Sequence, residues 1–157
     1  MNVTFQSLAQ LKRYLEVQIE DTLMSDVKDE VANMIEESGL ENVYAVYTPR
    51  VYRRRRETGG SLLDPKNYVG ETNNGELTIT STASPDYGYK GINDYTVKSL
   101  AELVEYGHGY NGQYYSYPFE KMGPRPFIKP TIDKLAEGNT LKDIVKNGLK
   151  RHGLTVE

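Results

Sequence analysis

The sequence predicts an α+β fold: a long N-terminal helix packed on a small antiparallel sheet, with short C-terminal helices. Three observations predict it. Apolar residues recur at three- and four-residue steps from Leu8 to Ile35, the period of one helix face. Leu77, Ile79 and Ser81 alternate with Thr78, Thr80 and Thr82, the period of a strand. Ser99, Pro130 and Thr140 each stand where a short helix would begin. The 157 residues suit one domain, 1–157, with a core of its own.

The first helix carries Leu8, Leu11, Leu15, Ile19, Leu23, Val27, Val31, Met34 and Ile35 on its apolar stripe. Ser7 with Gln10 makes a capping-box start, and Gly39 is expected to stop the helix. Roughly thirty residues at ~1.5 Å each give a rod of about 45 Å. That is longer than a compact domain of this size, so part of the rod is expected to project or to pack on another subunit. Ser25-Asp26 marks the place for a break, since both side chains compete for backbone hydrogen bonds. Glu16, Glu20, Asp21, Asp29, Glu30 and Glu37 line the other side. They read either as a solvated face or as an acidic surface for subunit pairing.

Val43 to Tyr47 is a short apolar run that Pro49 ends, and Arg50 to Arg56 is basic. Thr58-Gly59-Gly60 marks a turn, and Ser61 to Pro65 reads as irregular or edge structure. Asn73-Asn74-Gly75 favours the positive φ of a tight hairpin joining Lys66–Thr72 to the alternating strand. The apolar face of that hairpin is expected on the stripe of the long helix. Ser84 to Thr96 reads as an exposed loop. Ser99 then opens a helix that runs to Tyr106 and ends at Gly107. A loop from Tyr106 to Pro118 holds five tyrosines, and Gly123 to Phe127 is stiff and extended because residues before proline avoid helical angles. Pro130 suits a first helical turn, with Ile132, Leu135 and Ala136 as the apolar side and Gly138 as the stop. Thr140 is expected to cap the last helix, which would bury Leu141, Ile144, Val145 and Leu149. Lys150 and Arg151 near its end suit the macrodipole.

Hydrophobic content is 38% and mean hydropathy −0.62, at the polar end for a globular domain, so burial is expected to be completed in an assembly. A net charge of −3 argues against generic nucleic-acid affinity. The charge is segregated between an acidic first helix and two basic stretches, which favours head-to-tail contacts between copies. Cysteine is absent, which excludes disulfides, thiolate metal sites and cysteine nucleophiles. No apolar run approaches the ~20 residues of a membrane span, and the N-terminus lacks a signal-peptide pattern, so a soluble cytoplasmic chain is expected.

His108 sits between two glycines, a mobile place for a base, and His152 lies in a helix C-terminal turn. No carboxylates fall in a metal-loop spacing, and no nucleophile elbow, Walker A or dinucleotide fingerprint is present. A protein without catalysis, metal or cofactor is the expectation. Arg53, Arg54, Arg55 and Arg56 read as a solvated turn, as guanidinium forks for a neighbour's acidic helix, or as a nucleic-acid contact. Tyr110, Tyr114, Tyr115 and Tyr117 read first as a contact loop, since tyrosine gives large amphipathic area at low entropic cost. Base or sugar stacking and a plain loop are the other readings.

Four features in this order resemble a known family: the long helix, Thr58-Gly59-Gly60-Ser61-Leu62, Leu103-Val104-Glu105-Tyr106-Gly107, and Arg125-Pro126-Phe127-Ile128-Lys129-Pro130. The last two resemble the E-x-G and R-P-F-hydrophobic-x-P pair of tail-completion or head–tail connector proteins of long-tailed bacteriophages. The resemblance implies a small α+β structural protein without enzymatic activity, part of the virion. It would join or complete the tail at the neck as a ring, six-fold in expectation, around the DNA channel. Its partners would be other copies and the neighbouring neck and tail proteins, with DNA passing by and no membrane. Gly59, Gly60, Glu105, Gly107, Arg125, Pro126 and Phe127 are then structural positions, and the arginines and loop tyrosines are interface positions. The loops Ser84–Thr96 and His108–Lys121 are longer than that pattern. Arg125 is expected to reach back to Glu102 or Glu105, and Phe127 to plug the junction of sheet and helices. The runner-up reading is a small nucleic-acid binder or metal-independent ribonuclease using Arg53 to Arg56, His108 and Tyr114 or Tyr115.

Overall fold

The computed structural model describes residues 4–46, 62–83, 100–107 and 123–154. One long rod dominates it. Helix α1 (Leu8–Asp21), a π-helical segment (Thr22–Val27), helix α2 (Lys28–Gly39) and a second π-helical segment (Leu40–Tyr44) follow without interruption. The backbone keeps right-handed helical angles through every joint. Leu8 to Tyr44 at ~1.5 Å per residue spans about 55 Å.

Ser7 caps the start, its hydroxyl accepting from the Gln10 N–H at 3.2 Å, and the Gln10 side chain accepts from the Gln6 N–H at 2.9 Å. The break expected near Ser25-Asp26 is a π segment instead. Thr22 Oγ1 donates to the Gln18 carbonyl at 2.8 Å, and Ser25 Oγ donates to that of Asp21 at 2.6 Å. Hydroxyls bonded back in this way compete with the helical ladder and loosen it without ending it. Gly39 does not stop the helix: its φ is −69° and the chain continues helically. A Cβ there would run into Leu63 Cδ2, so the glycine serves a close approach.

Strands β1 (Tyr68–Asn73) and β2 (Glu76–Ser81) form the antiparallel hairpin, with Asn74 at φ 52° and Gly75 at φ 80° in its turn. These angles fit a two-residue turn of mirror-image type I, which matches strand twist. Tyr68 pairs with Ser81, Gly70 with Ile79 and Thr72 with Leu77, so these six share one face. That face turns toward the long helix: Gly70 abuts the Lys28 side chain, and β1 packs against α2 and the first π segment.

Helix α3 (Leu100–Tyr106) ends at Gly107, whose φ is 71°. Helix α4 (Ile128–Ala136) packs on α2, and α5 (Thr140–Arg151) packs on the Thr22–Val27 segment. The core holds Ala32, Ile35 and Val43 from the rod, Leu62, Leu63, Tyr68 and Ala83 around the sheet, and Ala101, Val104 and Phe127. It sits over the C-terminal half of the rod.

Both C-terminal helices differ from expectation. Pro130 does stand in the first turn of α4, but Thr131 is the buried position while Ile132 is 57% exposed. Asn139, not Thr140, precedes the first turn of α5, and Thr140 Oγ1 donates to the Glu137 carbonyl. Gly148 is the buried residue of α5, because a Cβ there would lie 2.6 Å from Thr22 Cγ2. Ile144, Val145 and Leu149 are half-buried around it, but Leu141, one turn beyond that support, is 45% exposed.

Candidate assembly surface

No residue of α1 is buried. Its stripe is amphipathic, yet Leu8 is 79% exposed and Ile19 40%, with Leu11 and Leu15 half-buried between them. Phe5 folds back on Tyr14 with ring centroids 5.2 Å apart. Below this end, the first π segment is held firmly. Asp26 is nearly enclosed, and its carboxylate meets Arg151 Nε and His152 Nε2, each at 2.9 Å. Those two residues end α5, so the contact fastens the last helix to the middle of the rod.

Ser25 Oγ lies 3.3 Å from Asp26 Oδ2, which puts serine, aspartate and histidine together. The order is wrong for nucleophilic catalysis, where the imidazole must touch the hydroxyl. Here Ser25 touches the carboxylate and donates to its own helix. This is a latch between helices. His152 serves that latch; His108 lies outside the described residues.

The Glu105-Gly107 and Arg125-Pro126-Phe127 positions come together as one joint. The Arg125 N–H donates to the Val104 carbonyl at 2.9 Å, satisfying a carbonyl in the last turn of α3. Glu105 Oε2 accepts from the N–H groups of Phe127 at 2.7 Å and Ile128 at 2.8 Å, and Oε1 from that of Lys129 at 2.9 Å. A buried carboxylate thus supplies the N-terminal cap that Phe127, as N-cap residue, cannot give. It also sits at the positive end of the α4 dipole. Gly107, buried and left-handed, ends α3 directly after it. Phe127 has 0% exposure, buried as expected, and its core cluster joins the rod and the sheet to α3, where the sequence reading has the helix near Pro130 as the third wall.

The sequence reading offers Glu102 or Glu105 as a partner for the Arg125 side chain; what Glu105 holds is the three backbone amides at the start of α4. Thr131 closes the joint, with Oγ1 donating to the Phe127 carbonyl at 2.9 Å and lying 3.4 Å from that of Met34. Tyr68 donates to the Leu62 carbonyl at 2.8 Å. Burial, and then the nearby Tyr44, push its phenol well above the usual tyrosine range.

Arg53, Arg54, Arg55, Arg56, Gly59, Gly60, Tyr110, Tyr114, Tyr115 and Tyr117 lie outside the described residues. Among the described residues, no group of three or more histidines, aspartates or glutamates could hold a metal ion, and no helix is long and apolar enough to cross a membrane.

The family model of YomN matches residues 7–151, from the cap of α1 to the end of α5. The SPbeta prophage-derived uncharacterized protein YomN of Bacillus subtilis (strain 168) is 27% identical over 133 residues, covering 85% of this chain and 83% of that protein. No solved structure matches the chain.

Proposed function

The chain belongs to the YomN family, and from that premise we propose that it is a structural protein of a phage particle. In this reading it is a ring subunit at the neck, which joins or completes the tail around the DNA channel and performs no catalysis. The observation that carries it is α1, a helix with an apolar stripe and no buried residue. A chain that leaves Leu8 and Ile19 in water gains stability by covering them with a neighbour, at about 25 cal/mol for each Å² of apolar surface removed. The prophage origin in the relative's name supports a place in a phage particle. The compact Glu105–Phe127 joint supports the resemblance to neck proteins noted in the sequence, since it gives a physical reason for that motif pair. The buried polar groups Thr22, Glu105 and Thr131 are each spent on backbone partners, which suits a scaffold.

The test is to label the protein on induced phage particles and image them. A ring's worth of label at the head–tail joint is the expected result. Label elsewhere on the particle, or none on it, overturns the proposal.

A further inference from the structure

We infer that α1 of one copy docks on the α4–α5 hairpin of the next, a contact between two different patches that repeats around an assembly. The inference rests on the ring-subunit reading and supplies its interface. Two observations point to the same pairing. The first is apolar. Outside α1, the C-terminal hairpin exposes Ile132 on α4, next to the buried Thr131, and Leu141 on α5, one turn before the half-buried Ile144 and Val145. Each helix therefore carries an apolar edge that the fold of one chain leaves half-finished, as α1 does with Leu8 and Ile19.

The second is charge. The C-terminal half of α1 carries Glu16, Glu20 and Asp21, all exposed. Helix α5 carries Lys142, Lys146 and Lys150 at four-residue steps on one side. Glu16 and Glu20 are one helical turn apart, as are the lysines, each step being about 6 Å along an axis. Two helices laid side by side would thus match carboxylate to ammonium while their apolar edges close together. The pair that now occupies Glu16 is weak: Lys12 Nζ lies 3.6 Å away and both side chains are more than half exposed. It yields readily to a neighbour. A second copy fits better than nucleic acid, because the hairpin pairs its lysines with exposed leucine and isoleucine, and phosphates have no use for those. Contacts of this kind are heterologous, which is what ring closure requires.

The chain has no cysteine, so single introduced cysteines report the contact cleanly. Ile19→Cys and Leu141→Cys proteins, one carrying a tag, are mixed at high concentration and oxidised under native conditions. The expected product is the mixed dimer, in excess over the ratio of random pairing. Glu16→Lys with Glu20→Lys should lower its yield by roughly tenfold, and Lys142→Glu with Lys146→Glu in the partner should restore it. Like pairs through Ile19→Cys alone, random pairing, or no crosslink overturn the inference. So does persistence of the crosslink in the Lys142→Glu, Lys146→Glu protein paired with an unchanged α1. Thermal melts of each variant show that the fold survives. Particle labelling at the neck without the mixed crosslink sinks the contact and spares the ring reading; the crosslink without neck label does the reverse.

Discussion

Leu8–Asp21 and Lys28–Gly39 are both amphipathic helix on a single rod, yet the first buries no residue and the second buries Ala32, Met34, Ile35 and Gly39. The difference lies in what stands opposite. Against α2 come the sheet, α4, Leu63 and the Phe127 joint; α1 is the end that outruns them. Periodicity in a sequence therefore fixes which face of a helix is apolar and leaves open whether the same chain covers it. The π segment between the two halves is where the change occurs, and α5 grips the rod there, through Gly148 against Thr22 and through the Asp26 latch.

The sharpest way to break this comparison is at the covered end. Phe127→Ala should cost roughly 3–5 kcal/mol, the range for emptying a buried aromatic site. A melt of that variant close to wild type would mean that the core does not sit at this joint. Next comes Glu105→Ala, which strips the acceptor from three backbone N–H groups at the start of α4. A loss of roughly 2–3 kcal/mol is expected, with partial recovery in Glu105→Gln, because one amide oxygen still accepts. An alanine variant as stable as wild type by denaturant titration would show that the cap contributes nothing.

Alkaline pH probes the same end. The Tyr68 phenol is held above its ordinary value near 10 in the folded chain, so on raising pH the unfolded state loses that proton first. Stability should be intact below pH 10 and fall above it, by about 1.4 kcal/mol per pH unit from this group. Tyr68→Phe should flatten that slope. A slope unchanged by the substitution would place its cause elsewhere. At the uncovered end the expected effect is smallest: Ile19→Ser should shift the stability of the isolated chain by no more than ~0.5 kcal/mol. A penalty of several times that would show that α1 is packed within its own chain.

Much of the fold is legible in the sequence because it depends on local chemistry. Ser7 caps, Asn74-Gly75 turns, and Gly107 and Gly138 take positive φ. What is not legible depends on a distant neighbour. Gly39 looks like a helix stop and is a close approach to Leu63. Leu141 and Ile132 look like core and are exposed. Glu105 looks like a partner for a side chain and caps a helix some twenty residues on, a contact that only folding brings about. Of the candidate site, the Glu105–Phe127 motif is described in full, whereas the arginine run and the loop tyrosines fall outside the described residues.

Amide hydrogen exchange along the rod tests the central claim most directly, because it reads both halves of one helix in one experiment. In the isolated chain, amides of Leu8–Asp21 should exchange far faster than those of Lys28–Gly39, and in the assembled particle the two should approach each other. Strong protection of Leu8–Asp21 in the isolated chain, equal to that of Lys28–Gly39, would contradict the account.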